Sequence, residues 1–303
     1  GAELTLTALN VNNGTAHVGG ATAEASLVKA GAITIGTAPA AEPPAGDSPK
    51  AAASATFTIG KNGAITSTGG LTIYNNGELQ FLTTSTADSK VTTTDGISLL
   101  GGKISVVDSG AGTIDSAITS TGGTISVGTD GSNATALTVN GNVAFNGEGG
   151  AVTIAGKGKL TVTHKKEHVS LDLGNATVSN AGTIDFGTLA TEKAATLTVS
   201  ADQYENLFKG KVSATGADAK AKFYLNVVGD TEIDLDTILN DGARDNAKIE
   251  LTTAVMGGIS ATKAKYNQAD TFKVGGTHKF GDLNAGKDNA LKLSGSAIVD
   301  ITN

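Results

Sequence analysis

The sequence has no cysteine and no tryptophan, one methionine, four prolines and only 4% aromatic residues in 303 positions. With no cysteine there is no disulfide framework, which suits a secreted bacterial protein that needs none and equally a cytosolic one. Scarce aromatics argue against a compact globule of this length, which normally fills its core with large rings, and favour an elongated body with a thin aliphatic core. Basic residues are also few. Arg244 is the single arginine, and 22 bases face 29 acids for a formal net charge of −7, so nucleic acid is not an expected partner. No apolar run approaches the roughly 20 residues that span a bilayer, so no membrane span is expected. No leader is visible at Gly1. The Thr-, Asn- and Gly-rich composition favours a processed, mature form, secreted or at the cell surface, over an intracellular one.

What is present in quantity is one short unit: an apolar residue, a small polar one, another apolar one, then Gly or Asn. Ile97-Ser-Leu99, Ile104-Ser-Val106, Ile125-Ser-Val127, Leu137-Thr-Val139, Val152-Thr-Ile154, Leu160-Thr-Val162 and Leu197-Thr-Val199 are copies. Alternation of this kind is the period of a strand with one buried face, and no stretch here keeps the 3.6 period of a helix. Gly101-Gly102, Gly122-Gly123, Asn140-Gly141 and Asn180-Ala181-Gly182 stand between copies and turn the chain sharply. Every third unit recurs after roughly 19 to 26 residues, as from Leu137 to Leu160 and from Leu160 to Ile184, which predicts a three-sided coil with one strand per face. The expected fold is therefore all-β, a β-solenoid (parallel β-helix), with a β-sandwich as the competing arrangement.

Taken in order, the pattern begins at Leu4-Thr-Leu6 and is interrupted over residues 38–53, an Ala-rich run holding Pro39, Pro43, Pro44 and Pro49. Proline cannot donate to a ladder, so this run reads as an insertion at a coil corner or as a connecting segment. Strand units resume at Phe57-Thr-Ile59 and continue to Val199. Residues 200–303 read differently. A short helix capped by Ser200 is predicted over 201–208 and a second over 236–240, followed by longer strands such as 222–228. The division expected is a solenoid over 1–199 and a C-terminal mixed cap or assembly region over 200–303, since a solenoid needs its open ends covered.

Few constellations carry chemistry. Asp115, Asp172 and Asp185 sit inside strand units and could line one outer face as paired carboxylates. As solvated acids that discourage edge pairing they need no catalytic role, and no enzyme is expected. His164-Lys165-Lys166-Glu167-His168 has metal-ligating residue types, but its lysines make a charged turn the better reading. Asp230, Glu232, Asp234, Asp236 and Asp241 form the densest acidic run and are the candidate ligands for a weak calcium site, although their spacing departs from the helix–loop–helix calcium pattern. No other cofactor is expected. The pairs Thr5/Thr7, Thr161/Thr163 and Thr196/Thr198 do not repeat on successive turns and so do not form an array.

The Gly- and Asn-punctuated units, such as Gly63-Ala-Ile-Thr, Asn76-Gly-Glu-Leu-Gln-Phe and Asn180-Ala-Gly-Thr-Ile-Asp-Phe, resemble those of bacterial surface β-helices: autotransporter passengers and filamentous-haemagglutinin-like adhesins. The resemblance covers a little over half the chain and is one of repeat style. It implies an exported, surface-located, non-enzymatic role. Surface-layer and extracellular-fibre subunits fit the residues after Ser200 equally well. Three functions follow in order: a self-assembling structural subunit of a filament or layer, an adhesin module for host or neighbour-cell glycans, and a polysaccharide-active enzyme. For the first, the strand-like ends supply the contacts, Leu4 and Leu6 at one and Leu291, Leu293, Ile298 and Ile301 at the other, with copies of the same chain as the partner.

Overall fold

The computed structural model describes residues 2–20, 25–39, 53–83, 85–129, 133–164, 167–230, 232–238, 248–266, 276–285 and 297–301. Within them the chain winds as a three-sided parallel β-solenoid. Gly63–Ser67, Leu71–Tyr74 and Gly77–Phe81 make one circuit, and Lys90–Thr93, Ile97–Leu100 and Lys103–Val106 make the next, each strand pairing in parallel with its counterpart. Counterparts stack into three ladders, one per face. The third is a 7-stranded sheet from Gly14–Val18 through Thr124–Val127 to Thr177–Asn180. The two wide strands Glu3–Val11 and Ser26–Ile35 serve the first and second faces together, which is why both of those ladders belong to one sheet.

Alternation sends the apolar set inward. Ile125 and Val127 are fully buried, and they stack between Ile104 and Val106 on one side and Val152 and Ile154 on the other. The register joins Leu137 to Leu160 and Leu160 to Ile184, the circuits expected from spacing. Each buried Ile, Leu or Val contributes about 1.5–3 kcal/mol, and columns of them replace the aromatics that the composition lacks. Corners depend on residues that accept unusual backbone angles: Gly122, between Ile118–Ser120 and Thr124–Val127, has φ of 81°. Circuits vary more than the spacing suggests, from 19 residues between Ser260 and Lys279 to 41 between Ala16 and Phe57. The longest contains the Pro/Ala run, which lies between the strands Ser26–Ile35 and Ala55–Ile59; its residues 40–52 are outside those described. Asn76 holds both flanks of that run, accepting from Thr37 N–H at 3.0 Å and donating to Ala53 O.

Core contacts also cross between faces. Phe81, fully buried on the third face, lies over Gly112 of the first, and a Cβ at Gly112 would sit 2.3 Å from Phe81 Cδ1. Gly112 occupies the register position of Leu137 on the next circuit, so the ring takes the volume that a side chain would otherwise fill.

The change of character expected after Ser200 is confined to the third face, where helix α1 (Ala201–Leu207) replaces a strand and packs on Thr177–Asn180. Asn180, 2% exposed, donates to Leu207 O at 2.9 Å and accepts from Gly182 N–H at 3.2 Å. Gln203 Nε2 donates to Ala176 O at 2.6 Å while its Oε1 accepts from Ser200 N–H at 2.8 Å. Leu207 is fully buried, and Tyr204 and Phe208 are nearly so. The helix thus covers the last edge of the third ladder, which would otherwise offer unpaired peptide groups. The second predicted helix is observed as the single turn α2 (Leu235–Ile238), with 239–247 outside the described residues.

The first and second ladders ignore the boundary expected at 199 and 200. Thr183–Leu189 pairs with Lys211–Gly216 and then Ile249–Thr252, and Ala194–Ser200 pairs with Lys222–Val228 and then Val255–Tyr266. The described part of 200–303 is therefore a continuation of the coil. Its longer strands hid the period, because alternation over seven residues does not mark where one face ends.

Candidate functional site

Register decides which polar residues meet. Asp115 and Asp185 lie on the first face, three circuits apart, which the strand spacing converts to about 14 Å along the axis. Asp172 lies on the second face. Asp115 pairs with Lys90 and accepts from Asn140 Nδ2; Asp185 pairs with Lys159 at 2.8 Å and accepts from Ser213 Oγ at 2.8 Å; Asp172 accepts from Gly174 N–H at 3.0 Å. The three carboxylates are not brought together, and each is occupied by a neighbour on its own or an adjacent circuit. A glycosidase pair would stand roughly 5–10 Å apart across a cleft.

The acidic run is likewise divided among lysines. Asp230 pairs with Lys263 at 3.1 Å and Asp234 with Lys265 at 3.6 Å, while Glu232 faces Lys263 across the ladder. Asp236 lies on α2, and Asp241 falls outside the described residues. No group of three or more potential metal ligands converges among the described residues. The two histidines of the charged turn both accept backbone hydrogen bonds, His164 Nδ1 from Glu167 N–H at 3.0 Å and His168 Nδ1 from Ala194 N–H at 2.9 Å.

These ion pairs share one geometry: lysine and acid come from neighbouring circuits, as in Lys103–Glu78 at 3.1 Å, whose residues are directly opposed in the ladder. Half-exposed pairs of this sort contribute at most about 1 kcal/mol each, so their effect is on register more than on stability. Replacing Asp115, Asp172 and Asp185 together by Asn is expected to keep the fold and lower the unfolding free energy by no more than about 2 kcal/mol. Denaturant titration followed by circular dichroism checks this, and a non-cooperative or unfolded triple variant would contradict it.

The surface that stands apart from this internal satisfaction is the first described rung. Leu4 is 51% exposed, although its counterparts on the next two circuits, Val28 and Ile65, are 8% and 0% exposed. Leu6 and Leu9 are only partly buried against the core. Glu3–Val11 pairs with Ser26–Ile35 on one side and with no other strand among the described residues, so alternate peptide groups of its second edge face outward. Here the inward column of the solenoid comes to the surface, with a hydrogen-bonding edge beside it.

At the opposite end the second ladder runs through Gly276–Ala285 to Ala297–Ile301, the strand that carries Ile298 and Ile301. Leu291 and Leu293 fall outside the described residues. Sequence reading singled out Leu4 and Leu6 from their alternation, but it missed a groove on the second face around Tyr224. The available signal was Gly257-Gly258, two side-chain-free positions one circuit after an aromatic residue.

No helix among the described residues is long and apolar enough to cross a membrane. Compared with protein-family models, curated proteins and solved structures, the chain matches none.

Proposed function

We propose that the chain is a structural subunit of an extracellular filament or surface layer that grows by stacking one solenoid on the next. The observation that carries this reading is the first rung, where Leu4, Leu6 and Leu9 present the inward column beside an unpaired strand edge. A second copy is the occupant that fits best, because the chain already supplies one parallel strand, Ser26–Ile35, with the register and aliphatic spacing that Glu3–Val11 accepts. Such a contact is head-to-tail and propagates unless it closes into a ring. The resemblance to bacterial surface β-helices supports the same location, outside the cell or on its surface.

Leu4→Asp tests the contact with little risk to the fold, since the side chain is already half in water. Electron microscopy of the unaltered protein is expected to show ordered polymers. The variant is expected to keep its circular dichroism spectrum, lose less than about 1 kcal/mol of stability and form no polymers. Monodisperse monomers of the unaltered protein across salt and calcium conditions, or polymers that survive Leu4→Asp, would reject the proposal.

A further inference from the structure

Tyr224 sits in the strand Lys222–Val228 on the second face, directly opposed to Thr196 on the circuit before and to Gly258 on the circuit after. The ladder slips there by one residue: Phe223 opposes Met256 but Tyr224 opposes Gly258, so Gly257 is the extra residue of a bulge. Bulges re-aim side chains, and this one clears a shelf for a ring. A Cβ on Gly257 would stand 2.5 Å from Tyr224 Cζ, and one on Gly258 would stand 3.6 Å from Cδ1. The half-buried phenol ring therefore lies across the bare backbone of the next circuit and borders open grooves of about 660 and 470 Å³, both of which it lines.

The remaining walls are mostly hydroxyls, amides and amines, with the Glu192 carboxylate, paired to Lys220, and His168 in the larger groove. Thr196, Asn226, Ser260 and Thr277 border the smaller groove, with Lys222 at one corner and Lys279 at the other. In this acidic chain most described lysines on the coil are spoken for by a carboxylate one circuit away, as Lys220 is by Glu192 at 3.2 Å. Among the described residues neither Lys222 nor Lys279 forms such an ion pair, although Asp300 is opposed to Lys279 in the ladder. From the Thr196 circuit to the Thr277 circuit the site covers three ladder steps, about 14 Å along the axis.

We propose that this groove binds an acidic polysaccharide, a chain of sugars bearing carboxylates, with one ring laid against Tyr224 and its carboxylates on Lys222 and Lys279. A flat aromatic ring takes the C–H face of a pyranose, and the surrounding hydroxyls and amides exchange hydrogen bonds with sugar hydroxyls. An apolar peptide would need an enclosed pocket, whereas these grooves are open and Tyr224 is the one phenol ring that lines them. The two lysines supply sign selectivity in a molecule whose net charge of −7 otherwise repels polyanions. The proposal does not depend on end-to-end stacking, because the groove lies along the side of the coil.

Binding of polygalacturonate and of neutral dextran, measured by isothermal titration calorimetry, tests it. The protein is expected to bind the polyuronate and not the dextran. Tyr224→Ala is expected to weaken binding at least tenfold with an unchanged circular dichroism spectrum. Lys222→Gln with Lys279→Gln is expected to do the same and to reduce the salt dependence, whereas Lys209→Gln, outside the groove, leaves binding intact. Gly257→Val, which refills the shelf, provides a second loss-of-binding variant should Tyr224→Ala disturb the fold. Absence of polygalacturonate binding, equal affinity for dextran, or affinity unchanged by both the tyrosine and the glycine substitutions would overturn the proposal. A lysine pair no more important than Lys209 would overturn the acidic specificity.

Discussion

Ile125→Asp is expected to unfold the coil around it, whereas Thr124→Asp, one residue away, is expected to be nearly silent. Ile125 is fully buried between Ile104 and Val152, and no donor or cation faces it in that column. An ionised carboxylate there loses its hydration without a partner, at a cost of about 4 kcal/mol or more. Thr124 points outward and stands opposite Lys103, so a carboxylate at that position meets water and a cation. Urea titrations of both variants measure the difference. Equal destabilisation by the two would mean that the inward and outward sets are wrongly assigned.

The second large effect is expected from Gly112→Val. Its backbone angles are ordinary, so the cost comes from Phe81, whose ring occupies the space of the new side chain. Overpacking of this kind costs about 3 kcal/mol. Phe81→Ala alone leaves a cavity and costs about 3–5 kcal/mol. Combined, the small residue makes room for the large one, and the double variant is expected to be more stable than the sum of the two changes by over about 1 kcal/mol. Strict additivity would show that the ring and the glycine do not share a volume.

The face of each strand was legible in the sequence because alternation is local: Ile125 and Val127 declare themselves within four residues. Circuit length was legible wherever the same apolar pair recurred, as at Leu137, Leu160 and Ile184. What could not be read were the features that depend on register between circuits. Asp115 looks like a solitary acid until Lys90 is placed one circuit above it, and Asp185 looks like a solvated acid until Lys159 and Ser213 close around it. Asn180 reads as a turn residue, yet it is buried, because its amide serves the end of a helix 27 residues later. The continuation of the ladders past Ser200 was not legible for a related reason. Its strands are long enough to span a face and its corner, so Gly257-Gly258 falls inside a strand, where the earlier pairs stand between strands.

The unequal circuits have a consequence for how this molecule can change its size. Ile104 to Ile125 takes 21 residues and Ala16 to Phe57 takes 41, yet both pairs meet in register and the inward columns continue undisturbed. Surplus residues are shed outward at corners, where loop length adds only a slowly growing entropic cost. Within a strand the same single insertion would exchange the inward and outward sets from that point to the next corner. Length is therefore editable in two currencies only, corner residues and whole turns. A gene encoding this chain can gain or lose a complete turn without redesigning the core, which makes the length of the coil a property that duplication can adjust in steps of one strand spacing.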